Sequence, residues 1–177
     1  MRIKSAVALA AASLLTLAAC GSGGEQEIPG SSPPAPKVLP LGPFVGECGH
    51  VTDDEVRDLG GFAEFSSVFR NAVGCNWVSA GIDSRSITFA SYRASPIERE
   101  REWVIINGRP PESITVAGRE GFAAMGPDGR ICDLAVQLGD DFFEWSTALG
   151  FSNLSMQPEN PCDRSRALAE LTVQRLQ

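Results

Sequence analysis

The first twenty residues constrain this chain most, because they decide in which compartment the rest of it folds. Arg2 and Lys4 precede a mostly apolar stretch, residues 6–19, which ends in small side chains immediately before Cys20. A positive start, a short apolar core and a small-residue cleavage site are typical of a secretory signal peptide. The apolar core is also shorter than the ~20 residues that a membrane-spanning helix needs. The sequence therefore predicts that residues 1–19 are cleaved and that the rest folds outside the cytoplasm.

The cysteine at the expected cleavage site indicates a lipid anchor. Cys20 follows Leu17, Ala18 and Ala19 and precedes a Gly-Ser-Gly-Gly run, an arrangement typical of a bacterial lipobox. In such a segment the thiol receives diacylglycerol before cleavage, and two or three acyl chains hold a protein stably on a membrane. The alternative is an ordinary secretory signal with an incidental cysteine. We expect lipidation of Cys20 and a protein anchored on the extracytoplasmic face of the cell membrane.

Beyond the signal peptide, the chain divides into a tether and one domain. Residues 20–43 are rich in glycine, serine and proline and show no apolar periodicity, so they cannot bury enough surface to fold. Residues 44–177 suffice for a single domain with a sizeable core. The full chain has a formal net charge of −7, and cleavage removes basic side chains from it. This acidity argues against nucleic acid, and against an anionic lipid surface, as the main partner.

The cysteines of the domain predict two disulfides. Cys48, Cys75, Cys132 and Cys162 form an even set in an exported chain, where thiols are oxidised. Pairing Cys48 with Cys75 and Cys132 with Cys162 closes the shorter loops and costs least entropy, whereas the rival arrangement joins Cys48 to Cys162 and Cys75 to Cys132. A zinc site is disfavoured because no Cys-x-x-Cys spacing occurs and His50 is the sole histidine. We expect no metal and no cofactor.

Three helices are indicated by capping residues. A capping box consists of Thr or Ser followed three residues later by Glu, and proline is favoured at the first helical position. These signals predict helices that start after Thr52, Ser95 and Asn160, with ends near residues 60 and 107 for the first two, and the apolar spacing over 62–69 predicts further helical turns.

The rest of the domain is dominated by strand signals. Alternating and β-branched segments are separated by turns rich in glycine, proline and aspartate. The predicted strands cover residues 74–78, 86–92, 114–116, 121–125, 131–138 and 142–149. The fold expected from this order is α+β: a curved antiparallel sheet of about five or six strands, with N- and C-terminal helices packed on one face.

No group of residues indicates catalysis. His50 lies near Asp53 in sequence, but no strained Gly-x-Ser-x-Gly turn marks a nucleophile for such a pair. Asp140, Asp141 and Glu144 could supply the paired carboxylates of a glycosidase, which need a defined separation across a sugar. Since Asp140 and Asp141 fall in a predicted turn, solvated turn acids are favoured instead. We expect that the protein is not an enzyme.

A possible partner-binding surface lies around the second predicted helix. Arg99, Arg101 and Trp103 belong to this helix and Tyr92 precedes it closely, and exposed aromatic and arginine side chains commonly anchor interfaces. The alternative is a plain solvated helix face. A cleft between the sheet and this helix could instead hold an acyl chain against Phe89, Phe122 and Trp145, unless these residues simply form the core.

Five motifs give the chain a resemblance to a known family. They are residues 48–53 (CGHVTD), 71–77 (NAVGCNW), 92–101 (YRASPIERER), 141–146 (DFFEWS) and 161–163 (PCD). In this order they resemble the mycobacterial LprB-type lipoproteins, an actinobacterial lipoprotein family defined by a domain of unknown function. The resemblance implies lipidation at Cys20, two disulfides and an actinobacterial envelope, and it implies no catalytic residue.

Together these observations predict a membrane-anchored, non-catalytic binding or accessory module of the cell envelope. Its ligand would be an envelope protein or a small envelope molecule. The alternative is a lipid or glycolipid carrier, which requires an apolar cavity of at least ~300 Å³.

Overall fold

A computed structural model of the chain describes residues 45–80, 84–150 and 160–176. These residues belong to one compact unit, Val38–Gln177. The predicted signal peptide, the lipidation of Cys20 and the tether lie outside the described residues.

The described part of the chain contains three α-helices, a short 3₁₀ helix and seven strands. In chain order they are the 3₁₀ helix Glu47–His50, α1 Asp53–Gly60, β1 Phe65–Arg70, β2 Gly74–Ser79, β3 Ser86–Tyr92, α2 Ile97–Ile106, β4 Pro111–Val116, β5 Arg119–Met125, β6 Ile131–Leu138, β7 Asp141–Ala148 and α3 Pro161–Gln174. None of these helices is long and apolar enough to cross a membrane.

The strands form one open antiparallel sheet in the order β1-β2-β3-β7-β6-β5-β4. At its centre β7 pairs with both β3 and β6, and the β3–β7 register runs from Ser86↔Ala148 to Tyr92↔Phe142. This register matters because it places the end of β3 beside the start of β7. The α+β class is confirmed.

The expected count of five or six strands is too low, because β1 was predicted as helix. Phe65 and Val68 suit either period, since residues three apart can share a helix face and a bulge changes the alternation of a strand. The ladder between β1 and β2 has such an irregularity between Phe65 and Ser67. Pairing of residues 65–70 with β2 therefore outweighs their local helical pattern. Because β1 is an edge strand, the side chain of Phe69 is 62% exposed.

The larger core lies between the sheet and the two terminal helices. α1 contributes Val56 and α3 contributes Leu168, and both side chains are fully buried. Beneath them the indole rings of Trp77 and Trp145 stack with centroids 5.8 Å apart. The prediction that N- and C-terminal helices pack on one face is confirmed, and we call this side of the sheet the α3 face.

α2 covers part of the opposite side, which we call the α2 face. Ile97 and Val104 of α2 pack there in a cluster with Phe122, Ala135 and Phe142. Side chains alternate between the two sides of a strand, so this second core is separate from the first. The sheet is therefore buried on both sides along β5, β6 and β7.

Phe89, Phe122 and Trp145 are core residues, and the alternative of an acyl-chain cleft lined by all three does not form. Phe89 and Trp145 belong to the core of the α3 face, with ring centroids 5.1 Å apart. Phe122 lies on the α2 face, where its ring is 4.8 Å from the guanidinium carbon of Arg101. The three rings cannot line one cavity because the sheet separates them.

The helix starts are mostly as the sequence predicts. The capping box of α1 is present, since Thr52 Oγ1 accepts from Glu55 N at 3.4 Å and Glu55 Oε2 accepts from Thr52 N at 2.9 Å. Asn160 accepts from Cys162 N at 2.9 Å at the start of α3. Ser95 as the cap of α2 is wrong, because the capping position is Pro96 and the Ser95 hydroxyl is buried without a partner among the described residues.

Two disulfides connect the helices to the sheet. Cys48–Cys75 joins the 3₁₀ helix to β2, and Cys132–Cys162 joins β6 to α3. This is the pairing with the shorter loops, so that prediction is confirmed and the rival arrangement is excluded.

Candidate functional site

A cleft of about 370 Å³ opens on the α3 face, where the 3₁₀ helix meets the end of β3 and the start of β7. The turn between β1 and β2 forms its rim. Apolar side chains, among them Val45 and Phe89, line it together with charged and polar ones, among them Arg70, Arg93 and Asp141. The cleft is thus amphipathic.

The 3₁₀ helix wall of the cleft is held in a conformation that few residues adopt. Cys48 and His50 have φ of 52° and 60°, and Gly49 between them has φ of 67°. For residues with a Cβ this left-handed region is costly and persists only where the surroundings enforce it. The Cys48–Cys75 disulfide supplies that enforcement, as does tight packing: a Cβ on Gly49 would lie 2.9 Å from the ring of Phe89.

The β1–β2 turn is fixed by hydrogen bonds that its backbone donates to the side chain of Asn71. Asn71 Oδ1 accepts from Val73 N at 2.9 Å and from Gly74 N at 2.8 Å. The carbonyl of Val73 in turn accepts from Ser91 N at 2.8 Å, which ties the turn to β3. The side chain of Val73 is nevertheless 60% exposed at the rim of the cleft. The rim is therefore ordered but presents apolar surface.

Asp141 is the unusual residue of the cleft. It is only 2% exposed; its Oδ1 accepts from Ala94 N at 2.8 Å, and its Oδ2 is buried without a partner among the described residues. The expectation of a solvated turn acid is wrong for Asp141, because it is the first residue of β7 and faces the core side, whereas its neighbour Asp140 is exposed as expected. An unpaired buried acceptor costs ~1–3 kcal/mol, which makes Asp141 a candidate functional residue.

Arg70, at the edge of the cleft, is held by two acids. Arg70 forms ion pairs with Asp53 and, at 3.8 Å, with Glu47. Asp53 Oδ1 also accepts from Trp77 Nε1 at 2.8 Å. Burial tends to raise the pKa of Asp53, but the hydrogen bonds from Trp77 and Arg70 outweigh burial and lower it. Asp53 thus ties the start of α1 to β1 and β2, and His50 is exposed.

A second polar group, which we call the acid cluster, lies on the α2 face. It consists of Asp133, Glu144 and Glu100, with Arg109 and Ser146 as partners. Asp133 forms an ion pair with Arg109 and accepts from Ser146 Oγ at 2.6 Å. Glu144 Oε2 is buried without a partner among the residues described. The cluster therefore holds three carboxyl groups against one arginine.

Burial and mutual repulsion raise the pKa values of groups in and beside the acid cluster. Burial raises the pKa of Glu144 to about 8, with smaller contributions from Asp133 and Glu100. Burial also raises the pKa of Glu100, and Asp133 adds to the effect. The pKa of Tyr92 rises to about 12, again mainly through burial and then through Glu144. Both pKa shifts favour the neutral forms of Glu144 and Tyr92.

Sequence reasoning missed the acid cluster. The available signal was an acidic residue inside an apolar strand: Asp133 stands between Cys132 and Leu134, and Glu144 between Phe143 and Trp145. Since strand interiors that are buried on both sides rarely contain acids, these two positions indicate buried carboxyl groups.

The predicted partner-binding residues are divided between two places. Trp103 is 56% exposed on α2, where Arg99 is also exposed. Arg101 instead lies over the ring of Phe122. Tyr92 stacks on Phe142 with centroids 4.3 Å apart and lines the cleft. Two residues of α2 that the sequence did not suggest extend its exposed apolar surface, Ile105 at 55% and Ile106 at 78% exposure.

Over residues 45–80, 84–150 and 160–176, no three His, Cys, Asp or Glu side chains are grouped so that they could hold a metal ion. The acid cluster has too few suitably placed ligands, and the cleft contributes one buried carboxylate.

The described residues form a disulfide-linked α+β domain with an amphipathic cleft. The chain belongs to the family described as "Protein of unknown function (DUF3558)", which matches residues 15–175. Similar proteins include "Putative lipoprotein LprB" of Mycobacterium bovis, 33% identical over 97% of this chain and 95% of the relative, and the protein of the same name from Mycobacterium leprae, 31% identical over 95% of each. The resemblance to the LprB-type family is thus confirmed. No solved structure matches the chain significantly.

Proposed function

We propose that this protein is a non-catalytic binding module of the cell envelope, anchored by lipid at Cys20 on the extracytoplasmic face of the membrane. The signal-like start of the chain, the names of its relatives as lipoproteins and two disulfides in a small domain support this location. The binding site is the cleft between the 3₁₀ helix, β3 and β7.

One observation carries the proposal: Asp141, a buried carboxylate with an oxygen that accepts no hydrogen bond from a described residue, lines an otherwise well-packed cleft. Pockets of ~300–1,000 Å³ with an apolar lining and a few convergent polar groups are the usual form of a small-molecule site. The volume of about 370 Å³ falls at the small end of this range.

The lining favours binding over catalysis. Ser91 lines the cleft, and its Oγ donates to the carbonyl of Val73 at 3.3 Å rather than to a base. A serine nucleophile needs a histidine or comparable base within hydrogen-bond reach. The shifted pKa of Glu144 belongs to the α2 face and not to this cleft.

Native mass spectrometry tests the proposal. The full chain is produced in an actinobacterial host, extracted in mild detergent and compared with the Ser91→Phe variant, which places an aromatic ring in the cleft. We expect a bound mass on the wild type that denaturation removes and that the variant lacks. Ser113→Phe on the exposed edge strand β4 is the matched control and should retain the mass. A wild-type protein without any bound mass would count against a ligand-binding cleft.

A carrier of lipid or glycolipid is the alternative function of the same cleft. Its volume exceeds the ~300 Å³ that this function requires. However, Arg70, Arg93 and Asp141 line the cleft, and burying an acyl chain against charged groups is unfavourable. The lining thus favours a polar ligand over an acyl chain, and the bound mass distinguishes them.

Protein binding is a second candidate, and it is favoured by the exposed apolar surface of α2. Trp103, Ile105 and Ile106 together present large apolar side chains to solvent, and Arg99 lies beside them. Photo-crosslinking from a benzoylphenylalanine at Trp103 in the native envelope tests this candidate. We expect a discrete adduct with one partner protein. Benzoylphenylalanine placed instead at Glu112, an exposed residue of β4, is the control and should give no such adduct.

A further inference from the structure

The geometry points to a bilayer-docking surface at the C-terminal end of α2, where Trp103, Ile105 and Ile106 enter the outer layer of the membrane that carries the anchor. We call these three residues the α2 tip. The inference goes beyond ligand binding in the cleft, and it rests on the lipid anchor of the proposed function. The partner is a phospholipid surface, which the tip contacts through apolar side chains rather than through charge.

The α2 tip is exposed and uncharged. Trp103, Ile105 and Ile106 are 56%, 55% and 78% exposed, and residues 105–108 form a run of exposed positions. Residues 103–108, with the sequence WVIING, include no ionisable side chain. Clustered apolar surface of this kind marks a contact with a protein or a membrane, and tryptophan is enriched where a membrane meets water.

The end of the helix is held in place by the rest of the domain. Val104, which stands between the exposed residues, is fully buried on the α2 face. Its carbonyl accepts from Arg109 N at 2.9 Å, and the side chain of Arg109 pairs with Asp133 of β6. The exposed side chains therefore project from a fixed part of the structure.

Carbonyls of the last helical turn are already hydrogen-bonded within the protein. The carbonyl of Trp103 accepts from Asn107 N at 3.1 Å and from Asn107 Nδ2 at 2.7 Å. The carbonyl of Ile105 accepts from Gly108 N at 2.9 Å. The last carbonyls of a helix have no intrahelical partner, and in lipid each unsatisfied group is costly. These hydrogen bonds lower the cost of moving the tip out of water.

The directions of the side chains favour a fluid bilayer over a protein groove. Successive residues of an α-helix point about 100° apart, so Ile105 and Ile106 diverge, and Trp103 lies about 160° around the axis from Ile105. A single protein groove cannot cover all three side chains, whereas acyl chains can surround a helix end from every side. Stable protein interfaces also bury ~800 Å² per partner, which is more than three side chains supply.

Charged residues lie behind the tip, at a distance that suits the lipid headgroups. With a rise of 1.5 Å per residue, Glu102 and Arg99 lie ~6 and ~10 Å behind Ile106 along the helix axis, and both are exposed. Interfacial helices bury apolar side chains ~5–10 Å into the boundary between headgroups and acyl chains. An end-on approach of α2 thus places the isoleucines among the acyl chains and both charges in the polar layer.

The lipid anchor brings the tip to the membrane. Residues 21–44 separate Cys20 from the first described residue, Val45. A segment of this length spans at most ~80 Å, which is about twice the ~36 Å diameter expected of a domain of this size. Any face of the domain can therefore meet the bilayer. Because tethering raises the effective concentration of the bilayer around the tip, a small apolar contact is enough for docking.

Quenching of tryptophan fluorescence by brominated acyl chains tests this assignment. The lipidated full chain is reconstituted into phosphatidylcholine vesicles, with or without bromine on the acyl chains. Trp77 and Trp145 are fully buried in the core, so bromine in the lipid reports on Trp103. We expect brominated lipid to quench the wild type and to leave Trp103→Phe unquenched. Equal quenching of the wild type and Trp103→Phe would overturn the assignment.

A charged variant and its control locate the contact. Ile105→Asp combined with Ile106→Asp removes two apolar side chains from the bilayer, so the docking equilibrium should fall at least ~tenfold and quenching should fall with it. Phe69→Asp is the matched control, because Phe69 is 62% exposed on the edge strand β1. We expect its quenching to equal that of the wild type. A similar loss in the control would overturn the assignment to the α2 tip.

Flotation of the same vesicles separates docking from anchoring. A wild type that floats with the vesicles but is not quenched would overturn the docking surface and leave the anchor standing. A wild type that does not float would overturn both. In the native envelope, benzoylphenylalanine at Trp103 should crosslink to lipid, and a discrete protein adduct would instead assign this surface to a protein partner and overturn the bilayer assignment.

Discussion

Replacing Glu144 by glutamine should stabilise the protein at neutral and alkaline pH. Glu144 lies on the α2 face near Asp133, Glu100, Tyr92 and Arg109, so three carboxyl groups share one arginine. Burial, reinforced by the other acids, raises the pKa of Glu144 from its ordinary value of 4.5 to about 8. Glutamine has the shape and neutrality of the protonated acid, and it removes the titration.

The size of the stability change follows from the linkage between proton binding and folding. Between pH 4.5 and about 8 the unfolded chain has lost the proton of Glu144, whereas the folded protein retains it. Folding then takes up a proton, so stability falls as pH rises, by ~1.4 kcal/mol per pH unit. The wild type should lose about 3 kcal/mol from this group between pH 4.5 and 7, and about 5 kcal/mol by pH 9. Below pH 4.5 the loss is absent.

Urea unfolding at pH 4.5, 7 and 9, with the disulfides intact, measures this effect. We expect wild type and Glu144→Gln to be nearly equal at pH 4.5 and to diverge by several kcal/mol at pH 9, with the variant more stable. Glu98→Gln, an exposed acid on α2, should follow the wild type at every pH. Parallel pH profiles for the wild type and Glu144→Gln would refute the reasoning, because Glu144 would then titrate alike in folded and unfolded chains.

Two further predictions concern the stability of the helices. Replacing both Cys132 and Cys162 by serine opens a loop with a sequence separation of 30, and the chain-entropy relation predicts a loss of about 4 kcal/mol in the free energy of unfolding. Chemical denaturation should show this loss while the spectroscopic signal of the native fold stays unchanged. A loss below about 1 kcal/mol would contradict the prediction. Thr52→Ala removes the capping box of α1 and should cost about 0.5–2 kcal/mol. Thr52→Ser, which keeps the hydroxyl, should recover most of that stability in the same assay.

Local signals predicted most of the fold. The capping box at Thr52, the cap at Asn160 and the glycines that end α1 are short-range features, and the structure contains them. Strand β1 was missed because its identity depends on pairing with β2, which is a contact that local periodicity does not encode. The side of the sheet on which α2 packs likewise depends on tertiary contacts, so local sequence patterns could not predict it.

The candidate site was harder to predict than the fold, and Asp141 shows why. Its sequence context, Gly139-Asp140-Asp141, is that of an exposed turn, and Asp140 indeed is exposed. One residue further, the chain enters β7 and the alternation of the strand turns Asp141 toward the α3 face. A boundary shift of a single residue thus separates a solvated acid from a buried one, and no pattern in the sequence sets that boundary so finely.

The two proposed surfaces lie toward opposite ends of the β6–β7 hairpin, so they can be tested independently. The cleft is at the end where Leu138 pairs with Asp141, and the C-terminal end of α2 is connected through Arg109 to Asp133, five residues back along β6. At ~3.4 Å per residue this separation is about 17 Å. Sites more than ~10 Å apart without shared partners usually behave additively. Asp141→Asn should therefore leave crosslinking from Trp103 unchanged, and a ligand in the cleft need not compete with a protein bound on α2. If Asp141→Asn abolished both ligand binding in the cleft and crosslinking from Trp103, one continuous interface would extend from the cleft to α2.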